Sequence, residues 1–179
     1  NALSSSQFGL LNSQQVGALT TTQIAALETS DLVALGSTGI RTWNSGQVAA
    51  LTSTEVAALT SAQVGALASN QVGSLTSTQI GAIETGDLRA LQTGTLRALS
   101  TEQLGGLSTD QMAALTTAQI TALGTAQLAN IASDALANLG TAQVAALKTN
   151  QIAALSSSQA KALGTDQIVS LTTAQVKAL

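Results

Sequence analysis

A leucine returns every eighth residue along this chain. Counting from Leu3, it occupies positions 3, 11, 19, 27, 35 and onward to 179, and only Trp43, Ile83 and Ile131 replace it. All three are large and apolar. The register holds without insertion or deletion for 22 octads, from Leu3 to Ala178. A fixed short period of this kind is the signature of a repeat architecture, in which one unit cannot bury its own apolar face and must stack on its neighbours. The other columns are nearly as strict. Five places after each Leu comes an apolar residue, such as Phe8, Val16, Ile24 or Leu32, with Ala160 the smallest. Two places after each Leu is always Ser or Thr. The residue before the Val/Ile column is usually Gln, with Asp31, Glu55 and Asp87 substituting and Gly39, Thr95 and Ala135 breaking the column. The consensus is L-x-[ST]-x-Q-[VIL]-[AG]-A.

Within an octad the Val/Ile residue and the following Leu are three apart, which is same-face spacing on a helix. One continuous helix fits poorly. At about 100° per residue an eight-residue period advances by roughly 80° each time, so the Leu column would spiral around the axis. A short helix per octad, reset by a turn, reconciles both facts. The Ser/Thr columns supply helix starts, since a hydroxyl oxygen accepts from an N–H two or three residues on. Two adjacent columns compete for the cap. The earlier one spells a capping box with Gln three places later, but it admits Gly36, Ala68, Glu84 and Lys148. The later one is unbroken, and it is the expected N-cap. The Gln column reads as a capping and ladder feature. Charge placement is an independent check, because helix dipoles favour acids in the first turn and bases in the last. Twelve of the fifteen charged residues obey it: Glu102, Asp110, Asp134, Asp166, Asp31, Glu55 and Asp87 fall early, while Arg41, Arg89, Arg97, Lys161 and Lys177 fall late. The expected fold is therefore all-α: a solenoid or superhelical rod of very short helices, one per octad, forming a single array over residues 1–179. A β-solenoid is the alternative, because Thr, Val and Ile favour strands and three octads make a plausible 24-residue coil. The array starts and stops within the pattern, as a piece of a longer array would.

The composition narrows function. There is no Cys, His, Pro or Tyr, and aromatic residues are 1% of the chain. No disulfide or thiolate metal site can form, and the commonest general base and metal ligand is missing. No calcium loop, P-loop or dinucleotide fingerprint occurs. The expectation is no enzyme, no cofactor and no metal. A net charge of −3 with six basic residues argues against nucleic acid, which needs clustered Lys and Arg. No apolar run is long enough to span a bilayer. A lipid-surface helix is a weak third reading, since it needs one long helix with a basic face, and neither feature is present.

Two stretches depart from the consensus. Glu28 to Trp43 (ETSDLVALGSTGIRTW) is matched seven octads later by Glu84 to Leu99 (ETGDLRALQTGTLRAL). Asp31 with Arg41, and Asp87 with Arg89 and Arg97, would be contact residues if these stretches form a specialised face; inherited duplication within a solvated face is the preferred reading. Trp43 fills a Leu slot. It reads as a core residue, or as an intersubunit or carbohydrate contact if exposed.

The units TAQVAAL (Thr141–Leu147) and TTAQITAL (Thr116–Leu123) resemble repeats of very large secreted bacterial surface proteins of the adhesin- or haemagglutinin-like kind, over almost the whole chain. The resemblance implies an extracellular or cell-surface location and a stalk or fibre role. The first functional expectation is a structural rod that spaces domains or self-associates into a filament. The second is an adhesive module presenting its Ser/Thr and Arg columns to a glycan, peptide or ice surface, with Trp43, Arg41, Arg89 and Arg97 as candidate contacts.

Overall fold

The computed structural model describes residues 3–179; Asn1 and Ala2, which the single-array reading includes, lie outside the described residues. The first helix spans Ser5–Phe8 and the last Thr173–Ala178. Among the described residues there are twenty-one α-helices and one 3-10 helix, Asp87–Ala90, and no strand. The chain is an all-α repeat solenoid, and the β-solenoid alternative is not adopted.

The octad length follows from the backbone. Four to six residues form each short helix, and the Leu and cap positions that follow are often extended, as at Leu115 (φ −58°, ψ 143°) and Thr116 (φ −71°, ψ 159°). The Leu N–H closes the helix by bonding to the Val/Ile carbonyl three residues back, for example Leu19 to Val16 at 3.2 Å. Helices of this length are unstable alone, so stacking must hold them. Each helix packs on the helix three octads further along, throughout the chain. Three octads therefore make one coil of triangular outline. At helix-packing distances of about 8–10 Å, the roughly seven coils form a rod about 60–70 Å long.

The Val/Ile and Leu columns fill the interior. Ile24, Leu32, Ile80, Leu96, Ile120 and Leu136 are among the fully buried side chains. The Ala column lies against the preceding coil, most closely at Gly106, where a Cβ would run into the Ser77 carbonyl oxygen; Gly81, two places before a Leu-column residue, lies against the following coil, where a Cβ would run into the Gly106 carbonyl oxygen. In the departure stretch the helices Thr29–Ala34 and Gly36–Arg41 follow each other without an extended cap residue. Gly36 makes that junction at φ 63°, a left-handed conformation that a side chain strains.

The N-cap expectation is corrected by one residue. The caps are Ser4, Asn12, Thr20, Thr52, Thr60 and their equivalents, and the unbroken Ser/Thr column is the first helical residue. The cap column tolerates Ala68, Gly124, Gly140, Lys148 and Gly164 because the Gln side chain still accepts the cap residue's own N–H there, at 2.6–2.8 Å. The cap side chain supplies only half of the box, so its loss is survivable. The charge placement survives the shift: all twelve residues sit in the first or last turn.

Candidate functional surface

The most heavily used polar groups of the rod are the Gln side chains, and they point inward. Gln119 is representative. Its Oε1 accepts from the Thr116 N–H at 2.9 Å and closes the capping box. Its Nε2 donates to the carbonyls of Leu88 and Leu91 at 2.8 Å each, in the preceding coil. One amide thus serves both a helix N-terminus and the coil before it. Both ends matter, because helix termini expose backbone groups that must find partners when buried. Thirteen Gln residues from Gln47 to Gln175 make such donations, twelve of them to the Leu-column carbonyl 28 residues back.

Where Gln is replaced, the ladder changes. Glu55 keeps the cap, its Oε2 accepting from the Thr52 N–H at 2.6 Å, but Oε1 is buried without a hydrogen-bond partner. Thr95 reaches the Leu67 carbonyl only at 3.5 Å. Asp31 accepts from the Ser5 hydroxyl at 2.7 Å, and Asp87 accepts from the Ser61 hydroxyl. These two Ser–Asp contacts are seven octads apart, so the duplicated stretches repeat a contact as well as a sequence.

The sequence-predicted contact residues do not converge. Trp43 is buried at 3% exposure, and its Nε1 donates to the Val16 carbonyl at 3.1 Å. It is a core residue, and the exposed-contact reading is corrected. Arg41, Arg89 and Arg97 are exposed. Arg89 Nε donates to the Ala114 carbonyl at 2.9 Å, in the next coil. Seven octads are two coils and one octad, so each residue of the second departure stretch lies one side further round the triangle than its counterpart in the first. Arg41 and Arg89 fall on one side, two coils apart, and Arg97 falls on another.

The hydroxyl columns are also partly committed. The cap hydroxyls at Thr20, Thr60 and Thr116 accept the Gln backbone N–H at 3.2–3.3 Å. Ser45 donates to the Asn70 carbonyl of the next coil at 3.1 Å. Among the described residues, no cluster of three His, Cys, Asp or Glu could hold a metal, and no helix is long and apolar enough to cross a membrane.

The cap, first-turn and Gln positions that build this ladder are spelled out at Ala114–Gln119, which reads ALTTAQ. A family model described as the ALTTAQ repeat matches residues 1–29, 24–61, 80–117, 120–157 and 149–179. The chain belongs to the ALTTAQ repeat family. Within an ALTTAQ unit the Leu fills the core, the first Thr caps, the second Thr opens the helix and the Gln joins one coil to the last. No curated protein matches the chain.

Proposed function

We propose that this ALTTAQ array is a non-catalytic structural element, an extracellular rod that spaces or assembles parts of a bacterial surface protein. The observation that carries the reading is the Gln ladder. The chain places its most conspicuous polar side chains inside, tying coil to coil, and its exterior carries Ser and Thr with scattered charged and apolar side chains. Repetition of one contact along an axis is what length requires, whereas binding one ligand requires convergence. The bacterial surface location rests on the resemblance of the TAQVAAL units to repeats of large secreted proteins. The adhesive reading draws less support, because Arg41 and Arg97 lie on different sides of the rod and many cap hydroxyls are already bonded.

Small-angle scattering of the chain tests the rod. A maximum dimension near 60–70 Å is expected for about seven coils at ordinary helix spacing, and a tandem duplication should double it. A compact particle, or one whose length does not scale with octad number, refutes the rod. Antibody labelling of intact source cells tests the location, and labelling only after lysis would refute it.

A further inference from the structure

One rung of the Gln ladder is lacking in the middle of the rod, at Thr95. On the same side of the triangle, Gln71 one coil before donates to the Trp43 carbonyl and Gln119 one coil after donates to the Leu91 carbonyl, at 2.8 Å each. The carbonyl that position 95 would serve is that of Leu67, 28 residues back. Thr95 is too short to serve it well. Its hydroxyl lies 3.5 Å from the Leu67 oxygen, whereas hydroxyl hydrogen bonds run at about 2.5–3.0 Å. No other described residue donates to that oxygen. Gln92 sends its Nε2 to the Gly65 carbonyl, at 3.4 Å, and does not replace the rung. Thr95 is 4% exposed, so a buried hydroxyl and a carbonyl face each other without a good bond.

A recess of about 440 Å³ opens at this point, within the range of small-ligand sites, about 300–1,000 Å³. Its floor is buried and consists of Leu67, Gln71 and Thr95; its rim is exposed and carries Arg41, Ser69 and Gln92. Gln71 is fully committed, its Oε1 accepting from the Ala68 N–H and its Nε2 donating to the Ile40 and Trp43 carbonyls. The Arg41 guanidinium and the Ser69 hydroxyl are bonded to no described residue. The free polar groups are therefore a carbonyl and a hydroxyl on the floor and a cation at the rim.

We infer that this recess binds a primary carboxamide that carries a carboxylate a few bonds away, the chemistry of free glutamine or of a polypeptide ending in Gln. The carboxamide takes the part that a Gln side chain plays in the neighbouring octads. Its NH2 donates to the Leu67 carbonyl, and its oxygen accepts from the Thr95 hydroxyl, which is free to turn because its present bond is long. A buried acceptor left without a donor is costly, so the bound amide gains what the chain alone forgoes there. A carboxylate in the same place has no hydrogen for Leu67 and would bury a charge. At the rim the charge preference reverses, because Arg41 offers a guanidinium to an anion. The floor thus selects a neutral amide and the rim an acid, and only a molecule with both groups satisfies both. The rod reading needs no ligand, and the site is an addition to it.

The test titrates the 179-residue chain with L-glutamine, L-glutamate and propionamide while the backbone amide NMR signals of residues 67–71 and 92–95 are followed. Glutamine should shift these signals saturably. Glutamate, of the same shape but without the amide hydrogens, should bind about tenfold or more weakly. Arg41→Ala should weaken glutamine about two- to fivefold, as for an exposed ion pair, and leave propionamide unchanged. Thr95→Gln puts the chain's own carboxamide into the recess, so it should abolish the shifts, keep the far-UV spectrum and raise the melting temperature. An N-acetylated tripeptide ending in glutamine separates the two sources: binding at least as tight as free glutamine assigns the site to a chain end, and exclusion of the peptide assigns it to the free amino acid. No saturable shift with either probe, equal binding of glutamate, or binding that persists in Thr95→Gln overturns the site. The scattering dimension is read separately, so failure here does not touch the rod.

Discussion

Replacing Glu55 by Gln should stabilise the chain. Glu55 is 3% exposed and its Oε1 has no partner. By the register of Gln47 on Leu19 and Gln71 on Trp43, that oxygen faces the Leu27 carbonyl, 28 residues earlier. A carboxylate has no hydrogen to give that carbonyl. The amide introduced by Glu55→Gln would keep the Thr52 cap, now made by Oε2 at 2.6 Å, and would turn a buried oxygen facing an oxygen into a donor facing an acceptor. Gln47 and Gln71, its nearest equivalents on either side with this contact, donate to the matching carbonyls at 2.6 and 2.8 Å. A buried unsatisfied polar group costs about 1–3 kcal/mol, and a new hydrogen bond contributes about 0.5–1.5 kcal/mol. Since the two terms overlap, the expected gain is about 1–3 kcal/mol. For a chain of this length that raises the melting temperature by about 3–10 °C. Thermal and urea denaturation followed by far-UV circular dichroism measure it, with Gln71→Glu as the reverse experiment, expected to lose a similar amount. A neutral or destabilising Glu55→Gln would refute the claim that donation between coils is what the Gln column contributes.

Gln119→Leu keeps the shape but leaves the Leu91 carbonyl and the Thr116 N–H without their partner, and urea denaturation should show a loss of about 2–5 kcal/mol. Gly106→Ala should cost about 1–3 kcal/mol by the same measurement, because the added carbon meets the Ser77 backbone rather than a yielding side chain. The only Trp, Trp43, should emit as a buried indole and shift to the red on unfolding. Trp43→Phe should destabilise by about 1–3 kcal/mol, since the Val16 carbonyl loses one of its donors and the smaller ring leaves part of the buried indole's space unfilled. Replacing Arg41 and Arg97 by Ala should leave the melting temperature unchanged within about 2 °C, as expected for exposed positions.

The repeat unit, the one-helix-per-octad fold and the inward Val and Leu columns are legible in the sequence because each follows from spacing alone. The cap is not, and sequence reasoning sets it one residue late for a physical reason. An unbroken Ser/Thr column suggests capping, whereas this one is strict where its backbone lies against the next coil, as Ser77 lies against Gly106. The true cap column is permissive because Gln holds the N-terminus even at Ala68 and Lys148. The contacts between coils do leave a trace in the sequence. A capping box is served by Glu as well as by Gln, yet the column holds sixteen Gln and one Glu. The need for a donor and the cost of burying a carboxylate in this column both favour Gln. The partner of that donor stays hidden, since it is a main-chain carbonyl in another coil, a group that every residue type carries and no sequence marks. Trp43 is ambiguous because a Leu slot does not tell where an indole N–H goes until the Val16 carbonyl is seen beside it.

A ladder in which each amide grips only the coil before it has a mechanical consequence. Tension along the axis loads these rungs in series, each carrying the same force, and a terminal coil, packed on one neighbour instead of two, yields most easily. Each release frees three octads, which extend to about 80 Å at roughly 3.4 Å per residue, where the folded coil occupied about 8–10 Å. A stretched array therefore lengthens in even steps while its remaining coils stay intact. The reach of such an extension would be set by the number of octads, and the yield force by the rungs of a single coil.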